Sequence, residues 1–266
     1  MADSVEIIYG DSNATLGQDG GGGDVTFEWG TPRRFDLVIG TDGQHSTVRR
    51  LVWGPETGFV THRGIYVATL PVERELNPTT DVLLHGMPGR LASVHPVRGD
   101  GGIAALIWRG KPVPGYDHRD TAQHKNIVEQ AYAGGGWIVP ELVERVRDAE
   151  DLYFDTVSQV RLDTWSGGRI GLLGDATSSV SLFGEGSSLA MAGAHTLART
   201  LAEHHDHPEQ ALQAYERAHR KLTAPKQNAF ATAATLMVPA TRLGVALRDN
   251  GARLVTGWQR LTARAS

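Results

Sequence analysis

The chain contains no cysteine, which removes a disulfide framework, thiolate nucleophiles and cysteine-ligated metals from consideration. It also lacks charge of one dominant sign. Against 26 Lys and Arg stand 30 Asp and Glu, a formal net charge of -4 over 266 residues, so no basic excess exists for a nucleic-acid or anionic-membrane partner. Met1-Ala-Asp-Ser-Val-Glu6 has neither the basic nor the apolar region of a signal peptide. The longest apolar tract, Phe230 to Leu247, is interrupted by Pro239, Arg242 and several threonines and does not read as a membrane span. A cytoplasmic protein with no nucleic-acid or membrane partner is the expectation. The sequence also has no Walker-type loop, no Ser-His-Asp order and no Gly-x-Gly-x-x-Gly. Its nearest variant, Gly99 to Ala104, runs into the strand-like Ala105-Leu-Ile-Trp108 and reads as a hairpin turn. A pyrophosphate is cradled at a strand-to-helix turn instead.

What is present is concentrated in Gly168 to Ser188. A short apolar strand, Arg169 to Leu173, ends in Gly174-Asp175. A loop with Gly184 and Gly186 then leads to Ser187, Ser188 and an alanine-rich helix. This order places a carboxylate at the carboxyl end of a strand and bare backbone beside a helix N-terminus. The carboxylate can accept hydrogen bonds from sugar or ribitol hydroxyls. The glycines admit a planar ring or a phosphate close to the main chain, and the helix terminus favours negative charge. That chemistry suits a nucleotide cofactor. Upstream, Phe35 to Arg50 repeats the pattern: an apolar strand, the turn Gly40-Thr41-Asp42-Gly43, and a helix start carrying Arg49 and Arg50.

Taken together, the two segments resemble the downstream signatures of the flavoprotein aromatic hydroxylases, the family of p-hydroxybenzoate hydroxylase. The first signature, Gly-Ala-Asp-Gly-x-x-Ser-x-Val-Arg, matches at Gly40, Asp42, Gly43, Ser46, Val48 and Arg49. The second, Gly-Asp-Ala-Ala-His followed by Pro and Gly-x-Gly, matches at Gly174, Asp175, Ala176, Gly184 and Gly186. The sequence departs from it where the His is replaced by Ser178 and the Pro by Ser181 or Leu182, in a loop one residue shorter. The resemblance implies FAD as cofactor, NAD(P)H as reductant, and oxygen transfer to a small, aromatic or polycyclic substrate. It implies that Asp175 holds ribityl or ribose hydroxyls and that Gly184, Gly186, Ser187 and Ser188 lie against the pyrimidine edge of the flavin. Asp42, Gly43 and Arg49 would line the pyrophosphate region, Asp42 indirectly, through water or by holding its turn. From the residues alone the alternatives stay open: Asp175 as a turn cap, the glycines as an ordinary loop, Arg49 as a solvated helix-face arginine paired with Glu or Asp.

The expected fold is α/β with α+β elements. Residues 1–57 and 161–266 form a partial FAD-binding domain with C-terminal helices. Residues 58–160 form an antiparallel substrate-covering sheet with strands at Ile65–Leu70, Asp81–Leu84, Arg90–Val97, Ile103–Trp108 and Tyr153–Val160. Strands are also expected at Val5–Tyr9, Val25–Trp29 and, continuously, Phe35–Gly40, with a hairpin tip over 18–24. Family members begin with a βαβ unit carrying Gly-x-Gly-x-x-Gly, so the resemblance covers only the later part of a normal member. The expectation is a truncated flavoprotein whose N-terminal FAD-binding half is either encoded separately or lost to a start assigned too late, with apolar strand surface exposed around Phe35–Ile39 and Ile170–Leu173. The alternative is a non-catalytic ligand-binding or protein-interaction remnant. His204, His205 and His207 read as a solvated helix end, not a metal site. His85 and His95 sit on the substrate-side sheet, and Trp108, Trp137 and Tyr153 read as core before pocket.

Overall fold

The computed structural model describes residues 5–76, 80–97, 99, 101–179 and 185–263. Their Cα positions form two compact units, one of residues 1–61 with 158–230, the other of residues 62–157 with 231–266. The segment after Phe230, expected with the first unit, therefore packs with the second.

The first unit opens with a three-stranded antiparallel sheet of β1 (Asn13–Asp19), β2 (Gly22–Phe27) and β3 (Arg33–Phe35). The hairpin tip is shorter than expected. Asp19 pairs with Gly22, and its carboxylate accepts the N–H groups of Gly21 and Gly22. Gly22 and Gly23 belong to the strand because the chain is crowded there: a Cβ on Gly23 would lie 2.9 Å from Val38 Cγ2. Val5–Tyr9 is not a strand; an apolar run becomes one only beside a neighbour that completes its ladder. The run Phe35–Gly40 is not continuous either. It bends at Asp36-Leu37, so that β3 pairs with β2 while β4 (Val38–Gly40) joins a second sheet.

That second sheet, ordered β10–β11–β4, contains β10 (Ser166–Gly167) and β11 (Ile170–Leu172), with β4 and β11 parallel: Val38 opposes Ile170, and Gly40 opposes Leu172. Helix α1 (Thr47–Trp53) follows β4, and α4 (Asp175–Ser178) and α5 (Gly186–Glu203) follow β11. Helix α6 (Pro208–Met237) begins in this unit. The core here gathers Val48, Leu162, Trp165, Ile170, Leu172, Leu197, Leu212 and Tyr215. Ile170–Leu172, expected to be exposed, is buried, because β11 lies between β10 and β4 and Gly171 faces Leu212 of α6. Exposed apolar side chains lie instead at Val5, Ile7, Ile8, Tyr9 and Trp29.

The second unit is built on a sheet ordered β6–β7–β8–β5–β9. Its strands are β5 (Val60–Glu73), β6 (Leu83–Met87), β7 (Arg90–Pro96), β8 (Gly101–Arg109) and β9 (Tyr153–Val160). The pairs β6/β7, β7/β8 and β5/β8 are antiparallel. Residues 101–104 lie in β8 and not in a turn, so the strand begins two residues earlier than expected, and Gly99 to Ala104 is still no strand-to-helix turn. Helices α2 (Thr121–Tyr132) and α3 (Val139–Asp148) cover one face, and α7 (Arg242–Ala263) completes the unit. Alternation sends Tyr66, Ala68, Leu70, Ala92, Val94, Leu106 and Trp108 toward α2 and α3. Buried Tyr132 donates its hydroxyl to the carbonyls of Leu91 and Ile107, 2.7 and 3.0 Å away, so the aromatic core leaves that hydroxyl satisfied. The fold is the mixed α/β architecture expected. Among the described residues no single helix is long and apolar enough to cross a membrane.

The parallel pair depends on a missing side chain. A Cβ on Gly40 would lie 2.7 Å from Val48 Cβ and 2.8 Å from Leu172 Cδ2. Gly40→Ala is expected to destabilise the protein by about 1–3 kcal/mol in urea unfolding. Gly17→Ala, in open space on β1, serves as the control and should leave the midpoint nearly unchanged.

Candidate functional site

Because β4 and β11 run parallel and in register, the loops that leave them lie at the same edge of the sheet, where open α/β folds bind ligands. The ladder continues one step past the strands, with Leu173 N–H donating to the Gly40 carbonyl at 2.9 Å. Thr41-Asp42-Gly43 and Gly174-Asp175 are therefore neighbours. Asp42 closes its own turn: its carboxylate accepts from Ser46 Oγ at 2.6 Å and from Val48 N at 3.0 Å. Ser46 in turn caps α1, accepting from Arg49 N at 2.9 Å. Gly43 has φ +80 with open space where a Cβ would stand.

Arg49 is not a solvated helix-face arginine. It is 1% exposed, and Nη1 donates to the Ala176 carbonyl at 3.0 Å while Nη2 donates to the Gln44 carbonyl at 2.5 Å. Glu56 lies 3.8 Å away and also meets His45 Nδ1 at 3.0 Å. Burial pulls the guanidinium below the ordinary arginine value, opposed by the charges of Glu56 and Asp42. The side chain ties the loop after β4 to the loop after β11. Its position, three residues after a serine cap, was the only sequence signal of that role.

Gly174 turns the chain with φ +68, and its carbonyl accepts from Thr177 N and Oγ1 at 3.0 and 2.7 Å. The next residue, Asp175, is exposed at the first position of α4. The first turn of α5 is close by, since a Cβ on Gly174 would lie 3.6 Å from Ala190 Cβ. Helix α5 is 18 residues long and its N-cap, Glu185, makes no side-chain cap. The Glu185 carboxylate instead accepts from Lys226 Nζ at 2.5 Å. The first-turn N–H groups, at Gly186 and the exposed Ser187 and Ser188, thus present positive partial charge that the Glu185 side chain does not cap. Gly184, Ser181 and Leu182 lie outside the described residues. An exposed carboxylate for a polyol, bare backbone turns and a helix terminus along one edge form a donor and acceptor set that fits FAD.

Behind this edge stands a pair that sequence reasoning missed. His219 and Tyr215, both 1% exposed, stack at 5.7 Å with a 17° interplanar angle, and a Cβ on Gly193 of α5 would lie 3.0 Å from His219 Nε2. Only the helical spacing Leu212, Tyr215, His219 pointed to it.

Elsewhere the candidates separate. His85 opposes Ala92 on the helix-covered face and packs on Trp137 at 5.6 Å, whereas His95 lies on the other face. Trp108 is core, stacked on Tyr66 at 5.4 Å. Trp137 and Tyr153 are exposed, and Trp137 is the only described non-glycine residue at positive φ, +57. His205 pairs with Asp206 at 2.9 Å, and no metal-holding group of three occurs among the described residues.

The model of the family described as FAD binding domain matches residues 31–228. The chain belongs to this FAD-binding family. Rv1260, an uncharacterized protein of Mycobacterium tuberculosis, is 40% identical over 199 residues, covering 74% of this chain and 54% of the relative. A flavin-dependent monooxygenase from an unknown prokaryotic organism is 32% identical over 185 residues, 69% of this chain and 48% of its own. Among solved structures, the tetracycline destructase Tet(51) superimposes with a TM-score of 0.80 at 25% identity, covering 91% of this chain and 65% of the other. The chain spans about half the length of the curated relatives it matches.

Two outcomes follow from the geometry of this FAD-binding fold. Arg49→Met leaves two buried carbonyls without their donor and should lower stability by about 2–4 kcal/mol. Glu56→Gln, at a half-exposed partner, should lower it by less than about 1 kcal/mol, and equal losses would show that the carbonyl ties are not what matters. For His219, burial holds the imidazole below the ordinary histidine value. The unfolded chain binds that proton first, so stability should fall as pH drops below about 6.5. His219→Phe keeps the stack and removes the titration. A shallower loss of stability between pH 7 and 5 is expected, and an unchanged slope would clear His219.

Proposed function

We propose that the chain is the flavin-holding part of an NAD(P)H-driven, FAD-dependent monooxygenase of the cytoplasm that hydroxylates a small aromatic or polycyclic substrate. The observation that carries this reading is the meeting of the exposed Asp175 with the N-terminus of α5 at the carboxyl edge of two parallel strands, in a chain of the FAD binding domain family. When bound, FAD supplies hydride acceptance and the activation of dioxygen.

The protein's own residues bind and orient. Asp175 accepts hydroxyls of the ribityl or ribose chain. Gly174 and Gly186 bring bare backbone to the cofactor. The N–H groups of Gly186, Ser187 and Ser188 favour negative charge at the pyrimidine edge of the ring. Asp42, Gly43 and Arg49 set the neighbouring turn, with Arg49 acting through position, since its guanidinium is enclosed. The sheet of residues 62–157 supplies the wall for the substrate. The likeness to a tetracycline destructase supports a polycyclic substrate.

The exposed run Val5, Ile7, Ile8 and Tyr9 with Trp29, and the outer edge of β4, favour one further element. Apolar surface and an edge strand of this kind accept another polypeptide, and a separately encoded FAD-binding half suits them. The same surface supports a second reading, a non-catalytic interaction protein.

Flavin fluorescence separates the two. FAD titrated into the purified chain should be quenched on binding, with Asp175→Ala weakening the affinity at least about tenfold without altering the circular dichroism spectrum. NADPH oxidation with bound FAD follows as the next assay. Absence of FAD binding by folded protein would rule out the flavoenzyme reading for this chain and leave the interaction protein.

A further inference from the structure

The two faces of the sheet in the second unit differ in what they leave available. The face toward α2 and α3 is closed by the aromatic core. On the other face, register sets the side chains in rows. Gly86, Leu91, Ile107 and Val67 form one row; Leu84, Ser93, Ala105 and Thr69 the next; His95, Ile103 and Pro71 the last. The segment after Phe230 covers the first of these. Arg248 packs over Gly86, and the neighbouring Arg109 donates to the carbonyls of Val238 and Ala234 at 2.6 and 2.9 Å. In the last two rows Leu84 is 59% and Ile103 42% exposed, with Ser93 and Ala105 buried between them.

Between those apolar side chains lies a hydrogen-bonded pair, Ser93 Oγ and His95 Nε2, 2.9 Å apart. Ser93 is buried at 2% exposure, and its hydroxyl also reaches the Ala105 carbonyl at 3.4 Å. If the serine proton goes to that carbonyl, His95 Nε2 is the donor to Ser93 Oγ and Nδ1 becomes the acceptor. Among the described residues Nδ1 takes no hydrogen bond. A ring-nitrogen acceptor, oriented by a buried serine and flanked by Leu84, Ile103 and Ala105, is suited to a planar ring whose edge carries a hydroxyl.

We infer that His95, held by Ser93, is a specificity-determining residue that accepts a hydrogen bond from a hydroxyl on the edge of a planar aromatic substrate lying over Leu84 and Ile103. This rests on the reading of the sheet as the substrate wall. Arg109 is spent on main-chain carbonyls, so His95 is the side chain on these rows that carries an open ring acceptor. The selected class is the phenols, and among the described residues of these two rows a carboxylate or phosphate meets no Lys or Arg side chain.

The test is a fluorescence titration of the full chain with 2-naphthol and with 2-methoxynaphthalene, which has the same ring and no hydroxyl donor. Wild type should bind 2-naphthol about five- to tenfold more tightly. His95→Phe should abolish that preference while still binding the methyl ether. His95→Asn, whose amide reaches the region of Nδ1, should restore part of it, and Ser93→Ala should weaken it by freeing the ring to turn. A preference that survives in His95→Phe, no preference in wild type, or failure of folded wild type to bind either ring overturns the proposal. FAD titrated into the same variants should be unaffected. Loss of FAD binding in wild type with the naphthol preference intact would instead remove the flavoenzyme reading alone.

Discussion

A single enclosed guanidinium joins the two loops on which the candidate site depends. Arg49 and the carbonyl it reaches, Ala176, are 127 residues apart in sequence, and each loop alone is ordinary Asp-Gly turn chemistry. A buried charge needs hydrogen-bond partners, which Arg49 finds through Nη1 and Nη2, while Nε takes none among the described residues. The planar fork of arginine satisfies two carbonyls on different loops, which the point charge of a lysine would not. The parallel register of β4 and β11 places the loops at the same height, and Arg49 then holds them there. Asp42, with both oxygens committed to Ser46 and Val48, fixes the helix from which Arg49 projects. Turn, cap and tie form one chain of dependence.

The edge so defined rests on close packing behind it. At Gly40, Gly171 and Gly193 a Cβ would come within about 3 Å of a neighbouring side chain, and their absence lets α1, α5 and α6 approach the strands. Leu212 fills the space at Gly171, and His219 the space at Gly193. Such a base holds an exposed residue like Asp175 in a defined place, the arrangement that precise binding requires. The buried histidine has a consequence of its own, since its neutrality is secured by burial and the packing is sensitive to acid.

Much of this was legible in the residues. The apolar strands before Gly40 and Gly174, the helix begun by Ser46 and the alternating strands of the second unit are signals local to a few residues, and they appear where periodicity and caps place them. What was hidden depends on partners distant in sequence. Val5–Tyr9 has strand composition without a ladder. Phe35–Gly40 is one apolar run shared between two sheets because it bends at Asp36. The burial of Arg49 depends on Ala176, and nothing near Arg49 announces it. The separation of His85 from His95 follows from register across β6, β7 and β8, a quantity that a single strand does not contain. The segment after Phe230 was misassigned for the same reason: helical pattern says which face is apolar, not which unit covers it.

The two faces of the second unit show how that register narrows where chemistry can occur. On the covered face, rings fill the space, and Tyr132 spends its hydroxyl on main-chain carbonyls, so little polar capacity remains. On the other face, Arg109 is likewise spent on carbonyls of the helical segment that covers it. Moving along the strands by four residues reaches Ser93 and by two more His95, where the neighbours Leu84 and Ile103 are exposed. A polar pair in an apolar, open setting is costly to leave there unless the hydrogen bond between its members or a ligand offsets the desolvation. Ser93 and His95 meet that condition with one bond between them, and the second nitrogen of His95 is the capacity left over.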